Sequence, residues 1–144
     1  MKKILTMILL ICSTTIADAK TLTIGIDLSA SNPLLSHKNF AHVASQHVSS
    51  EINKLKDGDV VHVKTFGSRK DALNLLNPTF EISRRLKPNK VAGIVAQYIQ
   101  LLPEQKEASQ SSTNLIAWLE FTSEFNCAQN SQILVITDGL ESSS

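Results

Sequence analysis

The segment Asp27-Leu28-Ser29-Ala30-Ser31 sets one carboxylate and two hydroxyls at alternate positions, a D-x-S-x-S pattern. On a turn, that spacing aims three oxygens at one point. Oxygen-only ligation suits a hard divalent cation, magnesium first and manganese next. Further along, Asp138 stands before Gly139 and offers a second carboxylate. Thr113, in a polar stretch ahead of an apolar one, offers a third hydroxyl.

These residues need elements to position them. Leu22 to Leu28 is a short apolar, β-branched run ending around Asp27, which predicts a buried strand. Asn32-Pro33 is a helix-start signal. After it, Phe40, Val43, Ala44, Val48, Ile52 and Leu55 recur at helical spacing as one apolar stripe, ended by the turn Asp57-Gly58. Val60 to Phe66 predicts a second strand closed by Gly67. A short third strand is expected over Ala72 to Leu76, stopped by Asn77-Pro78, because proline removes a ladder donor. Pro88 opens another helix with Val91, Ile94, Val95, Tyr98 and Leu102 on one face, and Pro103 stops it. A polar loop follows over Glu104 to Ser112. A last helix starts near Asn114 with Leu115, Leu119, Thr122 and Phe125 as its stripe, and Ile133 to Thr137 predicts a buried strand ending at Asp138-Gly139.

Strands alternating with helices imply an α/β fold with a largely parallel sheet. Ligands of such sheets bind beyond the carboxyl ends of the strands. Asp27 and Asp138 both fall at strand ends, so they are expected to face one crevice.

At this point the pattern resembles the von Willebrand factor type A domain with its metal-ion-dependent adhesion site. That family's site combines D-x-S-x-S after the first strand, a threonine in a later loop, and an aspartate before glycine after the fourth strand. Asp27, Ser29 and Ser31 match the first part, Thr113 in Ser-Ser-Thr-Asn the second, and Asp138 in Ile-Thr-Asp-Gly the third. The three appear in the family's order; the glycines that precede the family's threonine are replaced by Ser111 and Ser112. The resemblance implies a three-layer, doubly wound, Rossmann-like sheet. It implies that Asp27, Ser29, Ser31, Thr113 and Asp138 hold Mg2+ or Mn2+. It also implies an adhesive function and no catalysis: an incompletely neutralised cation takes its last ligand from an Asp or Glu of a partner protein. Family members continue beyond the aspartate-glycine turn, so residues 20–144 correspond to the N-terminal portion of the domain, with its second half missing.

Competing readings carry less of the pattern. Asp27 and Asp138 as plain helix caps leave Ser29 and Ser31 without a reason. Ser29 as a hydrolase nucleophile lacks both a positioned base and the sharp G-x-S-x-G turn. The alternative from a different class is a magnesium-dependent phosphohydrolase of haloacid-dehalogenase-like type using Asp27 as nucleophile. It wants a second acid at position 29, where a serine stands.

Of 144 residues, 42% are hydrophobic and 19% charged, the balance of one globular domain. Residues 1–19 have a basic start at Lys2 and Lys3, an apolar run Ile4 to Ile11, and the small-x-small motif Ala17-Asp18-Ala19. Together these resemble a bacterial signal peptide, with export to the periplasm or the outside. The run is too short for a membrane span, which takes about 20 residues. The whole chain carries +1, and 1–19 contains Lys2, Lys3 and Asp18, so the remainder is formally neutral. Neutrality disfavours nucleic acid and anionic membranes as partners. Cys12 leaves with the signal; Cys127 is expected to be buried and inert, or else half of a disulfide with a cysteine elsewhere. His37, His42 and His47 recur every five residues and so spread around a helix, which disfavours zinc. Trp118 is expected to pack beside an apolar stripe. Arg84, Arg85, Lys87 and Lys90 form a basic cluster, expected to be a solvated helix start rather than an anion-binding patch.

Overall fold

The structure is a computed structural model and describes residues 18–67, 76–105, 113–126 and 130–139. The expected signal segment therefore lies outside the described residues except for Asp18 and Ala19. The expected strand at Ala72 to Leu76 lies outside except for Leu76. Cys127 and the side chain of Phe125 also lie outside.

Strands β1 (Thr21–Asp27), β2 (Val60–Phe66) and β4 (Ser131–Ile136) and helices α1 (Lys38–Ile52), α2 (Pro88–Leu101) and α3 (Leu115–Asn126) fall where hydropathy places them. The sheet order is β3-β2-β1-β4, with β1 parallel to both β2 and β4. The expected α/β class with a mostly parallel sheet is therefore observed. Strand β3 (Thr79–Glu81) is not among the expected strands: it follows Pro78 and runs antiparallel to β2. Pro78 is tolerated because it only accepts, taking the amide of Val63 on its carbonyl at 3.0 Å.

One face of β1, carrying Leu22, Ile24 and Ile26, meets Val61 and Val63 of β2 and the inner faces of α1 and α2 in a continuous core. Burying one such aliphatic side chain contributes about 1.5–3 kcal/mol, so this layer supplies the main cohesion. The buried side of α1 is Ala41, Ser45, Val48 and Ile52, whereas Phe40 and Val43 of the expected stripe are exposed. Small residues win at this place because α1 packs closely on α2. Ser45 stays satisfied there, donating to the His42 carbonyl at 2.7 Å and accepting from Gln100 Nε2 at 2.9 Å. On α2, Val91, Ala92, Val95 and Ile99 are buried and Ile94 is exposed.

The opposite face carries Thr23, Gly25 and Asp27 and is covered by α3 through Trp118. That indole stacks on Phe66 with centroids 4.7 Å apart and lies directly over Gly25. Trp118 is thus a packing residue, as expected, and Gly25 is the gap that admits it. Among the described side chains of α3, Trp118 and Thr122 are buried, while Leu119 is exposed and Leu115 half-buried. Strand β4 is more open than its apolar sequence suggests: Ile133 is exposed, Leu134 and Val135 are half-buried, and only Ile136 is buried. It is the outer strand on that side among the described residues. No helix among the described residues is long and apolar enough to cross a membrane.

Candidate metal centre

The chain runs from β1 through α1 to β2 on one side, and β4 later joins β1 on its other side. The carboxyl ends of β1 and β4 therefore border the point where the strand order reverses, the place at which open α/β sheets bind ligands. Asp27 is the last residue of β1, and Thr137 and Asp138 follow β4 directly.

Asp27 is completely buried. Its Oδ1 accepts the amide of Ser29 at 2.8 Å, and its Oδ2 accepts the hydroxyl of Thr137 at 2.7 Å. Its backbone carbonyl accepts Asn32 Nδ2 at 2.8 Å, while Asn32 Oδ1 accepts the amide of Leu34 at 3.0 Å. Asn32 thus caps a 3-10 turn, Pro33–Leu35, rather than the long helix, and α1 begins only at Lys38. These bonds fold 27–34 into a tight turn. The Ser29 and Ser31 oxygens meet at 3.3 Å, with Ser29 buried and Ser31 exposed.

Thr113 is buried immediately before α3. Asn114 caps that helix, its Oδ1 accepting the amide of Ala117 at 3.1 Å, and its own amide donates to Gly67 just past β2. That tie holds the Thr113 loop at the carboxyl end of the sheet. Asp138 is half-buried at the same end, beside the Thr137 that grips Asp27. All five residues expected from the sequence are therefore at one end of the sheet, and Asp27, Ser29 and Ser31 form one bonded cluster.

Two members are not assigned to the site by the sequence. Thr137 ties the end of β4 to Asp27, and Asn32 fixes the turn; their only signal is a hydroxyl before Asp138-Gly139 and an Asn before Pro33. Thr137→Val keeps the shape but removes the donor to buried Asp27 and the acceptor for the Gly139 amide. Equilibrium urea unfolding should show a loss of about 1–3 kcal/mol; an unchanged midpoint would mean that this bond does not hold β4 to β1.

The donor set suits a hard cation. Among the described residues no three His, Cys, Asp or Glu side chains gather into a metal-binding group, so any cation held at this turn would be held largely by hydroxyls. Adjacent ligands of an octahedral ion with bonds of about 2.1 Å stand about 3.0 Å apart, close to the 3.3 Å between Ser29 and Ser31. A second buried aspartate serves as contrast. Asp59 accepts the amides of Lys20 and Lys56, each at 2.8 Å, at the amino end of the sheet with no hydroxyl pair beside it. It is a turn-holding group.

Comparison of the chain with family models, with curated proteins and with solved structures gives no match.

Proposed function

We propose that this chain is an exported protein-interaction module of the von Willebrand factor type A kind, binding a partner through a divalent cation. The observation that carries this reading is the Asp27–Ser29–Ser31 turn at the strand-order reversal, clamped across the sheet by Thr137. Ser29 and Ser31 would ligate Mg2+ or Mn2+ directly, with Thr113 and Asp138 completing the set. Asp27 positions them from behind, since each of its oxygens already accepts a protein hydrogen bond. When bound, the cation would supply an open coordination position attractive to a carboxylate. Ser29 and Ser31 bring no charge to it, which leaves that attraction strong and favours an Asp or Glu of a protein partner as the final ligand.

Complete burial of Asp27, with both oxygens engaged, supports adhesion over the phosphohydrolase alternative. A nucleophilic carboxylate needs an oxygen free to reach phosphorus. Export rests on the sequence of residues 1–19.

Calorimetric titration of MnCl2 and MgCl2 into the full chain should give saturable binding at one site per chain. No heat beyond dilution with either ion would remove the reading. Magnesium-dependent turnover of a phosphomonoester, lost in Asp27→Asn, would replace it with the hydrolase.

A further inference from the structure

The neutrality of residues 20–144 conceals an uneven distribution of charge. Residues 84–90 read Arg-Arg-Leu-Lys-Pro-Asn-Lys, four cations without an acid, and all four are exposed. The segment is firmly built. Ser83 N donates to the Leu86 carbonyl at 3.0 Å and Leu86 N to Ser83 Oγ at 3.2 Å, closing a turn with Arg84 and Arg85 at its tip. Ile82 is fully buried and Leu86 packs against the core, which anchors the turn on both sides. Lys87 and Lys90 then sit at the start of α2, whose first turn holds no acid. Cations at this end of a helix oppose its dipole, and none of the four forms an ion pair among the described residues.

This turn lies at the pole opposite the candidate metal centre. Glu81 pairs with Val60 at the start of β2, and Ile82 exchanges backbone bonds with Gly58 and Asp59, each at 2.8 Å. Exposed Lys20 and Lys56 share that pole, with Asp57 and Glu81 as exposed acids and Asp18 exposed two residues before Lys20.

We propose that this basic pole is an electrostatic docking surface for an anionic phospholipid bilayer. Two considerations favour lipid. The exposed side chains between Thr79 and Val91 include no apolar one, whereas protein interfaces draw their affinity from buried aromatic and aliphatic anchors. A headgroup surface needs only charge, and paired guanidinium groups on a projecting turn match phosphate oxygens.

Vesicle flotation of the full chain tests the proposal, with phosphatidylcholine alone against phosphatidylcholine containing about 30% phosphatidylglycerol. The neutral vesicles report any apolar contribution of Ile4 to Ile11, so the difference between the two is the quantity read. Partition to the anionic vesicles should be higher by on the order of tenfold at low ionic strength and fall to the neutral level at about 0.5 M salt. The same gain should vanish in the quadruple variant Arg84→Gln, Arg85→Gln, Lys87→Gln and Lys90→Gln. If that variant folds poorly by circular dichroism, the single variants Arg84→Gln and Arg85→Gln should each lower the gain. Equal binding to both vesicles, or a gain that survives these substitutions in folded protein, overturns the proposal. Salt-sensitive binding of a short DNA duplex without a vesicle gain also overturns it, assigning the pole to nucleic acid.

Discussion

The double variant Ser29→Ala, Ser31→Ala should bind Mn2+ and Mg2+ at least on the order of a hundredfold more weakly than the wild type while unfolding at nearly the same urea concentration. Even groups that only orient a metal ligand are worth about 10–100-fold in affinity, and here two direct ligands are removed. The structural cost is small: among the described residues the side-chain bond lost joins the two serines to each other, and Ser31 is exposed. Asp27→Ala should behave differently. It strands the Ser29 amide and the Thr137 hydroxyl around a fully buried cavity, so stability should fall by about 2–5 kcal/mol in addition to the loss of metal. Titration calorimetry and urea unfolding on the same samples separate the two effects. Undiminished ion affinity in the double-serine variant would show that the hydroxyls are not ligands, and the adhesion reading would fall with them.

The second large effect concerns the contact that holds α3 to the sheet. A methyl group built at Gly25 would stand 2.7 Å from Cζ2 of Trp118 and closer still to Cη2. The indole cannot swing aside without leaving Phe66. Gly25→Ala should therefore destabilise by about 1–3 kcal/mol, as overpacking does. Trp118→Ala, which empties the site, should cost about 3–5 kcal/mol. The two should not add: in a Trp118→Ala background the Gly25→Ala change should cost little, because the obstructing ring has gone. Strict additivity in a double-mutant cycle would show that α3 does not rest on β1 through this pair.

How much of this was legible follows from the range of the interactions involved. The strands β1, β2 and β4 announce themselves because runs such as Leu22 to Ile26 and Ile133 to Ile136 have few other places to go. The candidate site was legible because Asp27, Ser29 and Ser31 are neighbours in sequence and report their geometry locally. The burial of α1 is legible only in its second half, where Val48 and Ile52 of the apolar stripe are buried; in the first half the inner face is made by Ala41 and Ser45, chosen by the closeness of α2 and not by hydropathy, and no local signal sets Phe40 outside. Asn32 reads as the cap of a long helix, yet its side chain stops a short turn and the helix starts afresh at Lys38. Strand β3 is not foreseen because Pro78 reads as a lost donor, when its carbonyl is what β2 uses. Thr137 shows the same limit: its partner lies 110 residues away, and nothing beside it names Asp27.

That separation also sets an order in time. Asp27, Ser29 and Ser31 leave the ribosome early, but the hydroxyl that seats Asp27 arrives only after α3 and β4 have been made. A half-synthesised chain has the motif without the clamp. Any cation site built on this cluster would therefore be completed last, when β4 docks beside β1 and Thr137 reaches Asp27.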